Sequence, residues 1–522
     1  MVSLGIHVES DLGDILRLEY DPNRPDYSTD YGIARAVKGK LGLELGLPKH
    51  KITHSEWEVL VDSRVKSVRP FIVAMIARGL NLDEEDIRQL IGMQEDLHEG
   101  LGRKRRKLAI GLHDTRLIKP YIRYSAVDSN FKFIPLNSQR KMTVLEILRD
   151  TEQGKKYSAL LEGKSAFPIL VDKNGVVLSL PPIINGSATM VTTTTRELFI
   201  DVTGHDLEAM KSALAIISEV IWDMGASVES VKVVDGKTSQ RTPDTTPRKA
   251  TLSKDDVFAV LGIDLPVEDI KRSLLKTRFD VSIKGNRLIV TVPRYRVDIL
   301  HKVDLVEEVG YGFGYENLTP DTAFPYSKGR ISSETVLTES FRRLAVGLGF
   351  QEVMTFSLKS LDTQYINVGK TAFDGLRVES SKTKTYEYLR DSLTPGILEV
   401  LGDNVHEPYP QKLFEIGVCF RKDPESETGV GEETRIAGAI AADVAPFSDI
   451  KSVVDSLIEK IYGCVPSYSR ITLPYLLDGR AAAVSLNRKQ IGNLGEVKPS
   501  VLRTFKIKMP VSVFELSIRE SI

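Results

Sequence analysis

The chain reads as an α+β protein built of several domains, and three observations carry that reading. Its 522 residues exceed what a single hydrophobic core serves, so about three or four domains are expected. Two polar, proline-bearing stretches, residues 235–250 and 316–330, interrupt the apolar pattern and read as connections between domains. Segments that alternate apolar and polar residues lie beside segments with helical spacing throughout, with no internal repeat or low-complexity tract.

Composition narrows the function classes. Hydrophobic residues make up 42% and charged residues 27%, as in ordinary soluble globular proteins. With 70 Lys and Arg against 71 Asp and Glu, the net charge of -1 provides no global attraction to nucleic acid or to a membrane, so any RNA contact must come from a local patch. Cys419 and Cys464 are too few for a disulfide framework and lack the paired spacing of a zinc site, which suits a reducing cytoplasm. No apolar stretch approaches a membrane span, and the segment MVSLGIHVESDLGD has neither the basic flank nor the apolar core of a signal peptide.

In chain order, the strand-like VRPFIVAMIARGL gives way near Leu80 to the helical NLDEEDIRQLIGMQEDLHEGL, which suggests a boundary there. Residues 103–107 (Arg103, Lys104, Arg105, Arg106, Lys107) are the densest positive run. They suit phosphate contacts, and equally a solvated loop before a strand over 108–112. His98-Glu99 is not a zincin motif, because Gly102 stands where the second His is needed. Strands over 167–171 and 176–180 flank Asp172, Asn174 and Gly175, a hairpin turn signal. Pro181, Pro182 and Asn185 read as a turn. On a strand over 198–203 the side chains of Asp201 and Thr203 point the same way and could line a polar pocket; alternatively Thr203 or Asp206 caps the next helix. That helix, residues 206–223, carries Leu207, Met210, Leu214, Ile217 and Ile221 on one face.

Between the two connections, about seventy residues hold a helix, a hairpin and an acidic cluster. After the second, a helix over 335–347 and strands over 352–358 and 412–420 are expected. Gly163-Lys164-Ser165 and Gly369-Lys370-Thr371 are not phosphate-binding loops, since Ser158 and Gln364 occupy the position of the first glycine. Gly310, Gly312 and Gly314 lack the setting of a dinucleotide fingerprint and are expected in turns.

The acidic cluster is the most informative stretch. Asp304, Glu307 and Glu308 fall at i, i+3 and i+4, one face of a helix, and Asp298 precedes them by six residues after an alternating strand over 288–292. Four carboxylates without Cys or His favour Mg²⁺ or Ca²⁺ over zinc. A second reading stands beside it: Asp304 and Glu307 also look like an N-cap and its partner, acidic residues that the helix dipole stabilises without a metal.

The order P-x-Y-R-x-D, D-L-x-E-E, F-G-Y-E-N over residues 293–317 resembles the B5 domain of phenylalanyl-tRNA synthetase beta subunits of the archaeal and eukaryotic type. The likeness extends through DPNRPD (21–26), SVRPFIVA (67–74), LHEGLGRKRRKLAIGLHD (97–114), LPPIIN (180–185), LFIDVTG (198–204), TPDTTPR (242–248) and GNLGEVKPSVL (492–502). It implies a shortened B1-like region over 1–80, a B3/B4 editing domain over 81–235, a B5 domain over 245–318, and over 330–522 a class II synthetase-like module, an antiparallel sheet with helices that lacks the active site. Two departures stand out: the run Gly310-Tyr311-Gly312, where the family carries larger residues, and the start of the match at Ile6, where the family usually has a further segment before it.

The resemblance assigns Asp298, Asp304, Glu307 and Glu308 to a Mg²⁺ shared with an alpha subunit. It assigns Ile169 (by hydrophobic type), Ser179, Asp201 and Thr203 to an editing pocket that recognises tyrosine. It also implies an (αβ)₂ assembly in a cytoplasmic setting, in which the alpha subunit uses ATP to charge tRNA(Phe). A class II site needs phosphate-gripping arginines; here Gln411 and Lys412 precede Leu413-Phe414-Glu415, no G-x-G-x-G-x-x-R segment follows, and Arg390 matches a structural position. Two other readings remain: an RNA-binding assembly subunit whose pocket has decayed, and a free-standing aminoacyl-tRNA hydrolase.

Overall fold

A run of apolar, β-branched residues bounded by turn formers makes a strand, and such runs form the centre of the ten-stranded sheet that organises the first part of the chain. The computed structural model describes residues 2–13, 15–320, 328–371 and 374–519. They divide into two units, residues 1–322 and 323–522.

In chain order the large sheet consists of β1 (Thr53–Val61), β2 (Phe71–Arg78), β3 (Leu108–Asp114), β4 (Ile122–Val127), β5 (Phe167–Asp172), β6 (Val177–Leu180), β7 (Ile184–Asn185), β8 (Glu197–Gly204), β9 (Ser227–Asp235) and β10 (Thr238–Thr242). The spatial order is β7-β6-β5-β4-β1-β9-β2-β8-β3, with β10 on β9. Helices α1 (Glu84–Glu99) and α2 (Leu207–Asp223) supply Leu90, Met93, Leu97, Leu214, Ile217 and Ile221 to one face, against Val73, Met75, Ile110 and Ile200. Ile72, Ala74, Ile76 and Phe199 face the other way, onto Trp57 and Tyr124. Covered on both sides, β2 is apolar along its length instead of alternating. The helix cap goes to Asp206, which accepts the Ala209 N–H at 3.1 Å. The hairpin of β5 and β6 forms as expected: Asp172 Oδ1 accepts the N–H groups of Asn174 and Val176, and Gly175 takes φ 87°.

Two expectations about boundaries are corrected. No break separates 1–80 from 81–235: Leu80 is buried in the shared core, and β8 pairs with β2 on one side and β3 on the other. Nor is 235–250 all connection. Gly236, at φ 59°, turns the chain so that β10 pairs back onto β9, and Thr242 Oγ1 exchanges hydrogen bonds with the backbone of Ala74.

The segment after it forms a three-stranded sheet, β11 (Arg248–Ser253), β13 (Arg287–Val292) and β12 (Asp280–Lys284) in spatial order. Against it pack α3 (Val267–Lys276) and α4 (Lys302–Phe313), with Ile270, Leu274, Phe279, Leu305, Val306 and Val309 in the core. Gly310 and Gly312 are not in a turn but inside α4. A Cβ on Gly312 would lie 2.1 Å from the Ser273 carbonyl oxygen, so glycine is what lets α3 and α4 cross this closely. Gly314, at φ 101°, ends the helix as expected of a turn residue. The second connection, 316–330, lies partly outside the described residues.

In the second unit, seven strands form a sheet in the order β14 (Gln351–Glu352), β15 (Gln411–Lys422), β16 (Val430–Ala441), β20 (Val511–Ser517), β19 (Lys489–Val497), β18 (Leu476–Leu486) and β17 (Ser467–Arg470). All neighbours are antiparallel except β14 with β15. Helices α5 (Ser333–Gly347) and α7 (Phe447–Tyr462) cover one face and α6 (Thr394–Asp403) the other. The strand expected over 352–358 shrinks to β14, because Glu415 captures the Thr355 N–H at 3.1 Å and its hydroxyl at 3.0 Å, which removes that residue from any ladder. Among the described residues no helix is long and apolar enough to cross a membrane.

Gly312→Ala should lower the midpoint of thermal unfolding, at a cost of about 1–3 kcal/mol for a side chain forced into a packed crossing. Gly92→Ala in α1, where a Cβ meets nothing within 4 Å, should raise stability by about 0.5–1 kcal/mol. Calorimetry of the two variants checks the contrast.

Candidate functional site

A cavity of about 330 Å³ lies between α1, the paired strands β3 and β8, and the turn that follows β6. Ile87, Leu90 and Leu112 are among its apolar walls, beside polar side chains that include Gln94, Glu95, Arg105, Gln153 and Asn185. Asp201 and Thr203, two apart on β8, both reach it, as the same-face reading requires. Asp201 is 1% exposed. Its Oδ1 lies 3.0 Å from Nε2 of the fully buried His113, whose Nδ1 is 2.8 Å from Thr189 Oγ1. This pair has room only because Asp201 stands opposite Gly111 in the β3–β8 register: a Cβ there would lie 2.4 Å from Asp201 Oδ1 and 2.5 Å from His113 Nε2.

Thr203 is held as firmly. Arg69 Nε donates to its hydroxyl at 3.0 Å and Nη2 to its carbonyl at 2.7 Å. Burial pushes the Arg69 guanidinium down to about 10, which still leaves it a cation at neutral pH. Since Thr203 Oγ1 accepts from Arg69, its own proton is free to donate into the cavity. Ser179, on β6, lines the same space with a buried Oγ that has no hydrogen-bond partner among the described residues. Ile169 does not join them: it is fully buried among Val144, Ile147 and Tyr157, because its side chain faces away from the cavity.

The basic run fits neither expectation whole. Arg103, Lys104 and Arg105 adopt left-handed backbone angles, which turn Arg105 inward while Arg103, Lys104 and Arg106 stay exposed. Arg105 donates to the carbonyls of Pro182 and Ile183 at 3.1 and 3.0 Å and to Glu95 at 2.6 Å. The hydrogen bond from His98 and the charge of Arg105 hold the Glu95 carboxyl down to about 2 against its partial burial. Lys107 pairs with Asp206. His98 itself is buried, which lowers its basicity, and its Nε2 accepts the Ile110 N–H at 2.8 Å, a structural role. His113, Arg69 and an inward Arg105 were not legible in the sequence; the only trace of them is a strand, LAIGLHD, whose polar His would otherwise face a core.

At the acidic cluster, Arg296 donates through Nε to Asp298 Oδ1 at 2.9 Å and through Nη2 to Asp298 Oδ2 at 2.5 Å and to Glu308 Oε1. Asp304 Oδ2 accepts the N–H groups of Leu300 and His301 at 2.6 and 2.5 Å, so the helix-capping reading is present in the structure. Here Asp304 is the partner and not the cap, and Glu307 plays no part in it. Glu307 is exposed and makes no hydrogen bond or ion pair among the described residues; its carboxyl is raised by partial burial and by the charges of Glu308, Asp298 and Asp304. The four carboxylates therefore share one electrostatic neighbourhood, and an oxygen-only donor set fits a hard cation. Among the described residues no three acidic, His or Cys side chains converge closely enough to enclose one, since Arg296 stands between Asp298 and Glu308.

In the second unit the interior between α6 and the sheet is closed by its own ion pairs. Arg390 is buried against Glu415 at 2.5 Å and Val418 O at 2.9 Å. Glu515 accepts from Ser392, Thr394 and Arg435. Arg390 is thus committed internally, consistent with a structural position.

Residues 250–315 match the family described as the tRNA synthetase B5 domain, and residues 321–518 the family described as the phenylalanyl tRNA synthetase beta chain CLM domain. The phenylalanine–tRNA ligase beta subunit of Archaeoglobus fulgidus is 39% identical over 99% of this chain and 93% of its own length. That of Thermococcus onnurineus is 36% identical over 96% and 90%. An N-terminal fragment of the phenylalanyl-tRNA synthetase beta-subunit from Pyrococcus horikoshii is similar in structure at a TM-score of 0.58 and 38% identity, covering 60% of this chain and 92% of the fragment.

Replacing Arg296 by Met leaves the half-buried Asp298 without its counter-ion and the buried Glu308 with only the more distant Arg24, at 3.8 Å, and should cost about 3–5 kcal/mol of unfolding free energy. Denaturant unfolding of the full chain measures it.

Proposed function

This chain belongs to the family of phenylalanine–tRNA ligase beta subunits, and from that premise we propose that it serves tRNA(Phe) charging as the partner of an ATP-using alpha subunit in an (αβ)₂ assembly. Its own contribution is assembly and the hydrolytic removal of tyrosine from mischarged tRNA(Phe). The observation that supports editing is the cavity with a polar end built of Asp201, Thr203 and Ser179 between apolar walls.

Tyrosine is phenylalanine plus one hydroxyl, and an apolar synthetic pocket rejects such an addition by only about 10²-fold. A second pocket that hydrogen-bonds the hydroxyl selects in the opposite sense, because a phenylalanine side chain would leave the buried carboxylate and hydroxyl unpaired. Thr203 donates to the phenolic oxygen, and Asp201 accepts the phenolic proton on Oδ2, which makes no hydrogen bond among the described residues. The apolar walls take the ring.

A Mg²⁺ would be held by Asp298, Asp304, Glu307 and Glu308 and would supply a fixed positive charge to a surplus of carboxylates at the interface with the alpha subunit. Without it, Arg296 holds Asp298 and Glu308, and the capping hydrogen bonds hold Asp304.

Asp201→Ala removes the acceptor of the phenolic hydroxyl. In the reconstituted complex it should slow Tyr-tRNA(Phe) deacylation by about tenfold to a hundredfold, while phenylalanine charging stays unchanged; Thr203→Val should act in the same direction. Undiminished deacylation in both variants would move the editing site elsewhere, absence of deacylation by the unaltered complex would point to an assembly subunit with a decayed pocket, and equal damage to charging would make the two residues structural. Pyrophosphate exchange assigns the synthetic chemistry: the isolated chain should show no phenylalanine-dependent exchange, and exchange without the alpha subunit would refute the division of labour. Co-purification with a class II partner separates this reading from a free-standing hydrolase. For the metal, Glu307→Gln breaks no internal bond, so it should weaken Mg²⁺ binding in calorimetric titration while leaving metal-free stability intact. An assembly indifferent to both this substitution and a chelator would eliminate the site.

A further inference from the structure

Editing by this cavity employs Asp201 and Thr203, but it leaves unexplained how a carboxylate 1% exposed keeps one oxygen for the cavity. The hydrogen bonds around His113 supply the reason. The Thr189 hydroxyl donates to the Gly186 carbonyl at 3.3 Å, so toward His113 its oxygen accepts, and Nδ1 must carry a proton. The contact between Nε2 and Asp201 Oδ1, at 3.0 Å, then also contains one proton. Oδ1 is committed, and Oδ2 remains for a ligand. Gly111 makes the arrangement possible from across the register, because any Cβ would intrude on both partners.

Building on the editing function proposed above, we propose that His113, fixed by Thr189 and cleared by Gly111, is a positioning residue that locks Asp201 with Oδ2 turned to the cavity. It thereby sets the preference of the cavity for an aryl hydroxyl that donates a proton. It touches no substrate. Together with Arg69, which fixes Thr203 as a donor, it gives the polar end of the cavity one acceptor and one donor at neighbouring positions on β8. A phenol satisfies both; an aryl ether, which cannot donate, satisfies only Thr203.

The test uses the reconstituted complex with His113→Phe, His113→Gln, Thr189→Val and Asp201→Ala, and reads deacylation of Tyr-tRNA(Phe), Phe-tRNA(Phe) and O-methyltyrosyl-tRNA(Phe), with KM and kcat separated. His113→Phe should lose about tenfold to a hundredfold of the preference for tyrosine over phenylalanine, chiefly by weaker tyrosine recognition. The discrimination against O-methyltyrosine should fall with it. His113→Gln should restore most of both, since its amide N–H can still donate to Oδ1, and Thr189→Val should show a smaller loss of the same kind. A structural role predicts instead that all three deacylation rates fall in proportion and that Gln rescues selectivity no better than Phe. If His113→Phe does not fold, the Gln and Thr189→Val complexes carry the test, and unchanged selectivity in Thr189→Val beside a loss in Asp201→Ala overturns the positioning role. Undiminished deacylation in Asp201→Ala overturns the editing reading itself.

Discussion

A guanidinium taken out of water needs acceptors for its N–H groups at fixed places and distances, and this requirement organises much of the molecule. Arg69, buried beside the start of β2, spans to Thr203 on β8 and to the backbone of Arg105. Arg105 in turn binds α1 through Glu95 and the turn after β6 through two carbonyls. These two side chains join four segments far apart in sequence around one cavity. Each bond is charge-assisted, and each would be costly to leave unmade, so the cavity wall is stiff where its polar groups stand.

The same device recurs with different partners. Arg296 draws Asp298 and Glu308 together at the foot of α4, and Arg390 draws Glu415 to the Thr355 segment in the second unit. Near-neutral net charge hides this internal organisation, in which the buried cations among the described residues are matched by nearby carboxylates or carbonyls. The consequences for function differ. Around the cavity the matching leaves Asp201 Oδ2, the Thr203 proton, Ser179 Oγ, Gln153 Oε1 and Arg105 Nε over among the described residues, and such groups are able to act on a ligand. Inside the second unit, Arg390 and Glu515 are consumed by their internal partners.

Close backbone approach is the complementary constraint. Gly111 permits a His–Asp pair between adjacent strands, and Gly312 permits two helices to cross in contact. One absence of a side chain serves a site and the other serves packing, although both look alike as letters in a sequence.

Alone, the sequence determined the α+β character, the hairpin at Asp172–Gly175, the amphipathic helix after Asp206, the shared face of Asp201 and Thr203, and the helix that carries Asp304, Glu307 and Glu308. Those are local facts, set by periodicity and turn chemistry within a few residues. Only the tertiary structure decided that β2 and β8 lie side by side across the boundary expected near Leu80, that Ile169 faces a core and not the cavity, and that Arg105 turns inward from a run of charges. It also decided that His113 meets Asp201. Each of these depends on register between strands distant in the chain, or on a backbone sign change at Arg103, Lys104 and Arg105, and a one-residue difference in register would put the strand side chains on the opposite face.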